Sequence, residues 1–248
     1  MTPASRSRGA IVALEGASGS GKTTASTLVA QRLGGWVVAE AWQRLGRAPS
    51  LSFRSPSELL RLETDLLVEE GRRYQEARRL ADRGRLVVAD TGFLGPMAYT
   101  SGLVARKFAP ARVLPPLLRT VRAWASDGRW GMPDLTVYLV TDARTRRRRV
   151  SGDPRGHPAE LAERHEAVGR WERSWFLRRL APVLGSRFRL ATGVGTPLEV
   201  ARGVARVMHG IPGNSGTPEI ALEVVQTLAD SVPQQWERDR GVRWMRRF

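Results

Sequence analysis

The chain contains no cysteine, which excludes disulfides, thiolate metal sites and cysteine nucleophiles. Its three histidines, His157, His165 and His209, are scattered, and this speaks against a histidine-built metal centre. Lysine is nearly absent: Lys22 and Lys107 stand alone, so arginine carries the formal net charge of +16. No apolar run approaches the roughly 18–20 residues of a membrane span. Met1 to Gly9 has no apolar signal core, so it is expected to be a disordered lead-in to a cytoplasmic protein. The arginine excess suits nucleic-acid binding. It is spread over many segments rich in Ala, Gly and Val, however, and fits a compositional bias or a need to neutralise phosphorylated substrates. A nucleic-acid partner is not the expectation.

What the chain does have is concentrated at residues 10–24, AIVALEGASGSGKTT. Gly16-Ala17-Ser18-Gly19-Ser20-Gly21-Lys22-Thr23 matches the phosphate-loop pattern G-x-x-x-x-G-K-[ST], and Thr24 follows it. The glycines let several backbone N–H groups converge on one phosphate. Lys22 adds a mobile charge for the outer phosphates, and the Thr23 hydroxyl is placed to ligate Mg²⁺. The apolar Ala10–Leu14 before the loop reads as a buried strand. The helix after it turns its positive dipole end toward the nucleotide.

Five strands are expected: Ala10–Leu14, Trp36–Ala39, Leu86–Ala89, Thr136–Val140 and Phe188–Ala191. Helical segments separate them, at Thr24–Leu33, Ser57–Arg83, Pro116–Ala125, Ala143–Val150, Pro158–Leu180 and Pro197–Met208. Ser55 or Ser57 could cap the second. Alternating strands and helices give an α/β fold with a parallel sheet covered on both faces. After a Gly/Pro/Asn/Ser break at Gly210–Thr217, Pro218–Ser231 reads as a helix in an extension running to residue 248. That extension packs on the core, lies over the site or makes a dimer contact.

Ligands of parallel sheets sit beyond the carboxyl ends of the strands. Asp90 ends the third strand, where it can hold Mg²⁺ or accept a proton. Glu40 ends the second, placed to take the proton of an attacking hydroxyl. Trp42 stacks on a planar acceptor or packs in the core, and Arg44 is placed to hold an anion. Arg144 to Arg149 run into a Gly/Pro loop near residue 157, and together these suggest a mobile lid whose cations neutralise the transferred phosphoryl group.

With these motifs in order, residues 8–209 resemble the thymidylate kinase and deoxynucleoside kinase group of P-loop kinases. The resemblance is carried by Glu15-Gly16 and its loop, Ala39-Glu40-Ala41-Trp42, the run Leu80 to Asp90, Ala98-Tyr99, Pro133 to Leu139, and the arginine-rich stretch. It implies a five-stranded sheet in the order 2-3-1-4-5 and transfer of the γ-phosphoryl group of ATP with Mg²⁺. The domain would span residues 10–209, with a lid at about 144–157 and a helical extension over 210–248. Gly16 to Thr24 would hold the phosphates. Thr23 and Asp90 would organise the metal, Glu40 or Asp90 would serve the acceptor, and Arg147 and Arg149 would be the lid cations. Trp42, Arg44, Arg72 or Arg73, Thr91, Phe93 and Tyr99 fall at the acceptor end. The chain departs from the family pattern at Thr91, where an Arg normally follows the Asp, and at Ser18, where thymidylate kinases carry Asp. The departures leave the ATP side intact and point to an altered acceptor: a nucleoside, a nucleotide or a hydroxylated natural product such as an antibiotic. A nucleotide-dependent regulator and an ATPase are the rival classes.

Overall fold

The computed structural model describes residues 8–45, 53–151, 159–211 and 217–232. Strand β1 (Ile11–Glu15) is buried along its whole length, its apolar run Ile11–Leu14 suiting a central strand and Glu15 closing it. It pairs in parallel with β3 (Val87–Asp90) on one side and β4 (Leu135–Val140) on the other. The edge strands are β2 (Trp36–Val38) and β5 (Phe188–Thr192). The strand order is therefore β2-β3-β1-β4-β5, as expected.

Helix α1 (Lys22–Leu33) leaves the phosphate loop, and α2 (Ala41–Arg44) is one short turn after β2. The 27-residue α3 (Pro56–Asp82) starts at Ser55, whose hydroxyl accepts from the Glu58 N–H at 3.1 Å. Helix α4 (Gly95–Ala105) has no counterpart among the sequence expectations. Then come α5 (Leu114–Ser126), the arginine-rich α6 (Ala143–Ser151), and α7 (Ala159–Trp175). The helix expected to run on to Leu180 instead widens into a π-helical turn at Phe176–Leu180 and ends in the short α8 (Ala181–Leu184). Thr196 and Glu199 form a reciprocal capping box at the start of α9 (Pro197–Val207).

Two apolar layers sandwich the sheet. On one face α1 and α9 pack over Val12, Leu14, Val88 and Leu139. On the other, α3, α4, α5 and the α7–α8 region cover Ile11, Ala13, Val87 and Tyr138. Helix α10 (Pro218–Asp230) lies on this second layer, burying Val224, Val225 and Leu228 against it. Within the described part of the extension, this is the core-packed outcome. Residues 212–216 and 233–248 lie outside the described residues, as do 1–7, 46–52 and 152–158, where much of the expected lid falls. Of the expected lead-in, Arg8 and Gly9 are held: Arg8 pairs with Asp82 at 3.0 Å, and the Gly9 N–H donates to the Ala81 carbonyl. Among the described residues no helix is long and apolar enough to cross a membrane.

Candidate active site

A cavity of about 910 Å³ opens at the carboxyl ends of β1, β2 and β3. Its donor end is the phosphate loop. Gly16, Gly19 and Gly21 have φ of 145°, 76° and 97°, values that L side chains rarely adopt. The loop is also tightly seated: a Cβ on Gly19 would stand 2.9 Å from Val150 Cγ2 and 3.0 Å from the Arg146 carbonyl oxygen. Helix α6 is thus packed on the loop. Lys22 folds back and donates to the Gly16 carbonyl at 2.7 Å.

Asp90, at the tip of β3, is 1% exposed, and neither carboxylate oxygen has a hydrogen-bond partner. Burial raises its pKa, opposed by the neighbouring Thr23 side chain, Lys22 and Arg73. An orphaned carboxylate beside a phosphate-loop threonine fits a hard divalent cation, so Thr23 and Asp90 are the residues that could hold Mg²⁺.

The structure organises the acceptor end around a residue sequence reasoning placed only as an acceptor contact. Arg73, on α3, is fully buried. Its Nη1 is paired with Glu70. Its Nε donates to the Ala39 carbonyl at 2.6 Å, and its Nη2 to the carbonyls of Asp90 and Thr91 at 2.7 and 2.9 Å. One guanidinium therefore ties the end of β2 to the end of β3 and fixes the spacing between Glu40 and Asp90. Thr91 lines the cavity with φ of 66°, unusual for a β-branched residue, and Arg73 holds its carbonyl. Next to it, the Gly92 N–H donates to Glu15 Oε1 at 3.1 Å, where a Cβ would stand only 2.3 Å from that oxygen.

The site brings together Gly16, Ser18, Gly19, Gly21, Lys22, Thr23 and Thr24 at the donor end, with Glu40, Trp42, Thr91 and Tyr99 at the other. Five expectations need correction. Phe93 is a core residue, 1% exposed, packed edge-on against Tyr74 with Arg73 over its ring. Arg44 is drawn to α3 by Glu69, at 2.7 Å, and by Glu76. Arg72 is exposed and pairs with Glu69 at 3.3 Å. Arg147 is exposed and does not line the cavity, whereas its neighbours Arg148 and Arg149 do. Arg149 does reach the site, but as a staple. It donates to the carbonyls of Gly19, Ser20 and Gly193 at 3.3, 3.0 and 3.0 Å, and to Gly195 at 3.3 Å, joining the phosphate loop to the segment between β5 and α9.

Sequence reasoning missed the acids of the cavity wall, Glu15, Glu63, Glu70 and Glu172. Burial pushes Glu15 and Glu63 up to about 8 and Glu70 and Glu172 up to about 7. Repulsion from Glu172 adds to the shift at Glu15 and Glu63, while Lys22 opposes it at Glu15 and Glu172 and Arg73 opposes it at Glu70. A signal was present: Leu59, Glu63, Leu66, Glu70, Arg73, Ala77 and Ala81 recur at three- and four-residue spacing, so both acids fall within the apolar stripe of α3.

A family model described as an AAA domain matches residues 11–167. No curated protein matches the chain. Among solved structures, deoxyadenosine kinase from M. mycoides with dCMP and a flexible dCDP bound is similar, with a TM-score of 0.59 at 14% identity, covering 81% of this chain and 100% of that one. Thymidylate kinase from Candida albicans is similar with a TM-score of 0.58 at 18% identity, covering 81% and 91%. The fold is that of the P-loop nucleoside and nucleotide kinases.

Proposed function

We propose a phosphotransferase on this premise: the chain belongs to the AAA-domain family of P-loop proteins. The reading is an ATP- and Mg²⁺-dependent kinase whose acceptor is a hydroxyl on a nucleoside or another small molecule. The observation that carries it is the orphaned, buried carboxylate of Asp90 beside Thr23 and Lys22, next to a cavity with room for both donor and acceptor. The solved kinases of the same fold support it as neighbours in shape.

Gly16 to Thr24 would cradle the ATP phosphates through backbone N–H groups, with Lys22 exchanging its loop carbonyl for the outer phosphates. Thr23 and Asp90 would hold Mg²⁺, which would supply charge neutralisation for the phosphates. Glu40 accepts the acceptor proton. The acceptor oxygen bonds to the γ-phosphorus as the bond from that phosphorus to the bridging oxygen breaks, and ADP leaves with the electron pair. Positioning and charge do most of this work.

A hydroxyl acceptor is favoured over a phosphate because the guanidiniums of Arg44 and Arg73 are already engaged by carboxylates and carbonyls, and Thr91 offers no charge. The test is ADP formation from ATP and Mg²⁺ across nucleosides, nucleoside monophosphates and hydroxylated natural products, with mass detection of the product. A phosphorylated hydroxyl, lost by roughly 100-fold or more in Lys22→Ala with the melting temperature retained, is the expected result. Near-normal turnover in Lys22→Ala would overturn the loop assignment.

A further inference from the structure

The acceptor end of this arginine-rich chain is lined by acids and aromatic rings. Glu63 projects from α3 into the cavity wall and is 1% exposed. Its Oε2 has no hydrogen-bond partner. The polar groups acting on it are the Thr100 side chain and the carboxylate of Glu172 on α7, with no cation among them. Tyr99 lies between these elements, within the fields of Glu63, Glu172 and Arg164, and its ring stands 5.7 Å from that of His165. Arg164 itself stacks on Phe53, its guanidinium carbon 5.0 Å from the ring centre. Tyr138, Phe176 and Trp42 complete the aromatic lining.

A buried acid with an orphaned oxygen, facing a cavity and set near a second acid, keeps its proton for want of a positive partner. Among the described residues no three acids or histidines converge closely enough to ligate a metal ion, so a compact divalent cation does not fit this need. Carboxylates interleaved with aromatic faces are the surroundings that stabilise an organic ammonium group, by charge-assisted hydrogen bonds and by the ring quadrupole. A phosphate or carboxylate seated between Glu63 and Glu172 would meet two acids, with Lys22 already facing Glu172.

We propose that the acceptor is a hydroxylated amine, its ammonium group seated between Glu63 and Glu172 against Tyr99 and its hydroxyl directed toward Glu40. This rests on the kinase reading and names its acceptor class. Binding restores the charge pair that the empty cavity lacks, and the site thereby discriminates against nucleoside monophosphates.

The test uses the full chain with glucosamine, kanamycin and octopamine, each alongside its N-acetylated form. Binding is followed by calorimetry in the presence of Mg²⁺ and a non-hydrolysable ATP analogue, and turnover by product mass. At least one amine should bind about tenfold or more tighter than its acetylated form. Glu63→Gln should shrink that ratio to about threefold or less, and Glu172→Gln should do the same if the first variant loses its fold. Acetylated forms binding as well as the amines, ratios unmoved by both variants, or no amine binding at all would overturn the proposal. In those cases phosphorylation of a neutral nucleoside would leave the kinase reading standing. Failure to bind ATP and Mg²⁺ would instead sink the kinase reading, while an amine preference in binding alone would survive it.

Discussion

Replacing Arg73 by methionine removes one charge and four hydrogen bonds from a fully buried position. Glu70 loses its partner, and the carbonyls of Ala39, Asp90 and Thr91 lose their donors. Breaking a buried pair from one side costs about 3–5 kcal/mol. Glu70 is already pushed up to about 7, so near neutral pH it takes a proton and keeps the loss toward the lower end, about 3 kcal/mol. At roughly 2–4 °C per kcal/mol for a domain of this size, the melting temperature should fall by roughly 6–12 °C. The sign with pH follows from Glu70. Its folded pKa is raised above the unfolded value, so its stabilising contribution is present below about 4.5 and is lost as pH rises through the folded pKa. Arg73 lowers that folded pKa; without it the window of loss extends to higher pH, and the variant should lose more relative to wild type at pH 9 than at pH 5.5. Adding Glu70→Gln should recover part of the loss, a coupling of about 0.5–3 kcal/mol. Arg73→Lys should rescue poorly, because an ammonium cannot hold three carbonyls and a carboxylate in one plane. Thermal unfolding of the four proteins decides the matter. A fall under 2 °C, or a double variant no more stable than Arg73→Met, would refute the reasoning about this pair.

Glu40→Gln should lower kcat by roughly 100-fold with little change in ATP affinity, as removal of a general base does, and unchanged kcat would make Glu40 structural. Arg149→Ala should raise KM for ATP more than it lowers kcat, because this guanidinium holds the loop's shape; a large kcat loss at constant ATP affinity would restore its role as a lid cation. Wild-type stability should decline between about pH 5 and pH 8, the span over which raised carboxyls such as Glu63 lose protons inside the fold. Glu63→Gln should flatten that decline by an amount on the order of a few kcal/mol, and an unchanged melting profile would contradict the burial of this group.

The phosphate loop and the sheet were legible because each is encoded locally. The loop is a contiguous string, and β1 and β3 are continuous apolar runs with no competing period. Helix α4 was not, because GPMAYTSGLVA is buried on nearly all sides and carries no amphipathic rhythm. Glu63, Glu70 and Arg73 sit in a helix dense with charges, and though the apolar stripe they share marks them as buried, it does not say which elements close over them. The roles of Arg147 and Arg149 depend on the rotation of α6 against the loop, which a run of arginines does not specify. Phe93 follows Asp90 closely in sequence, yet the turn at Thr91 and Gly92 sends its side chain into the core.

An acid-lined chamber inside a chain of net charge +16 also sets a direction of travel. The exterior field draws in a polyanion such as ATP, and it does so less as salt rises. The proposed transfer would then add negative charge to a molecule standing among acids. If the acceptor is the amine proposed above, the wall that receives it would repel the phosphorylated product, so the chemical step would weaken the product's hold and turnover would carry its own release. Nucleotide on-rates should therefore fall with ionic strength, while product off-rates, governed by contacts shielded from solvent, stay nearly constant.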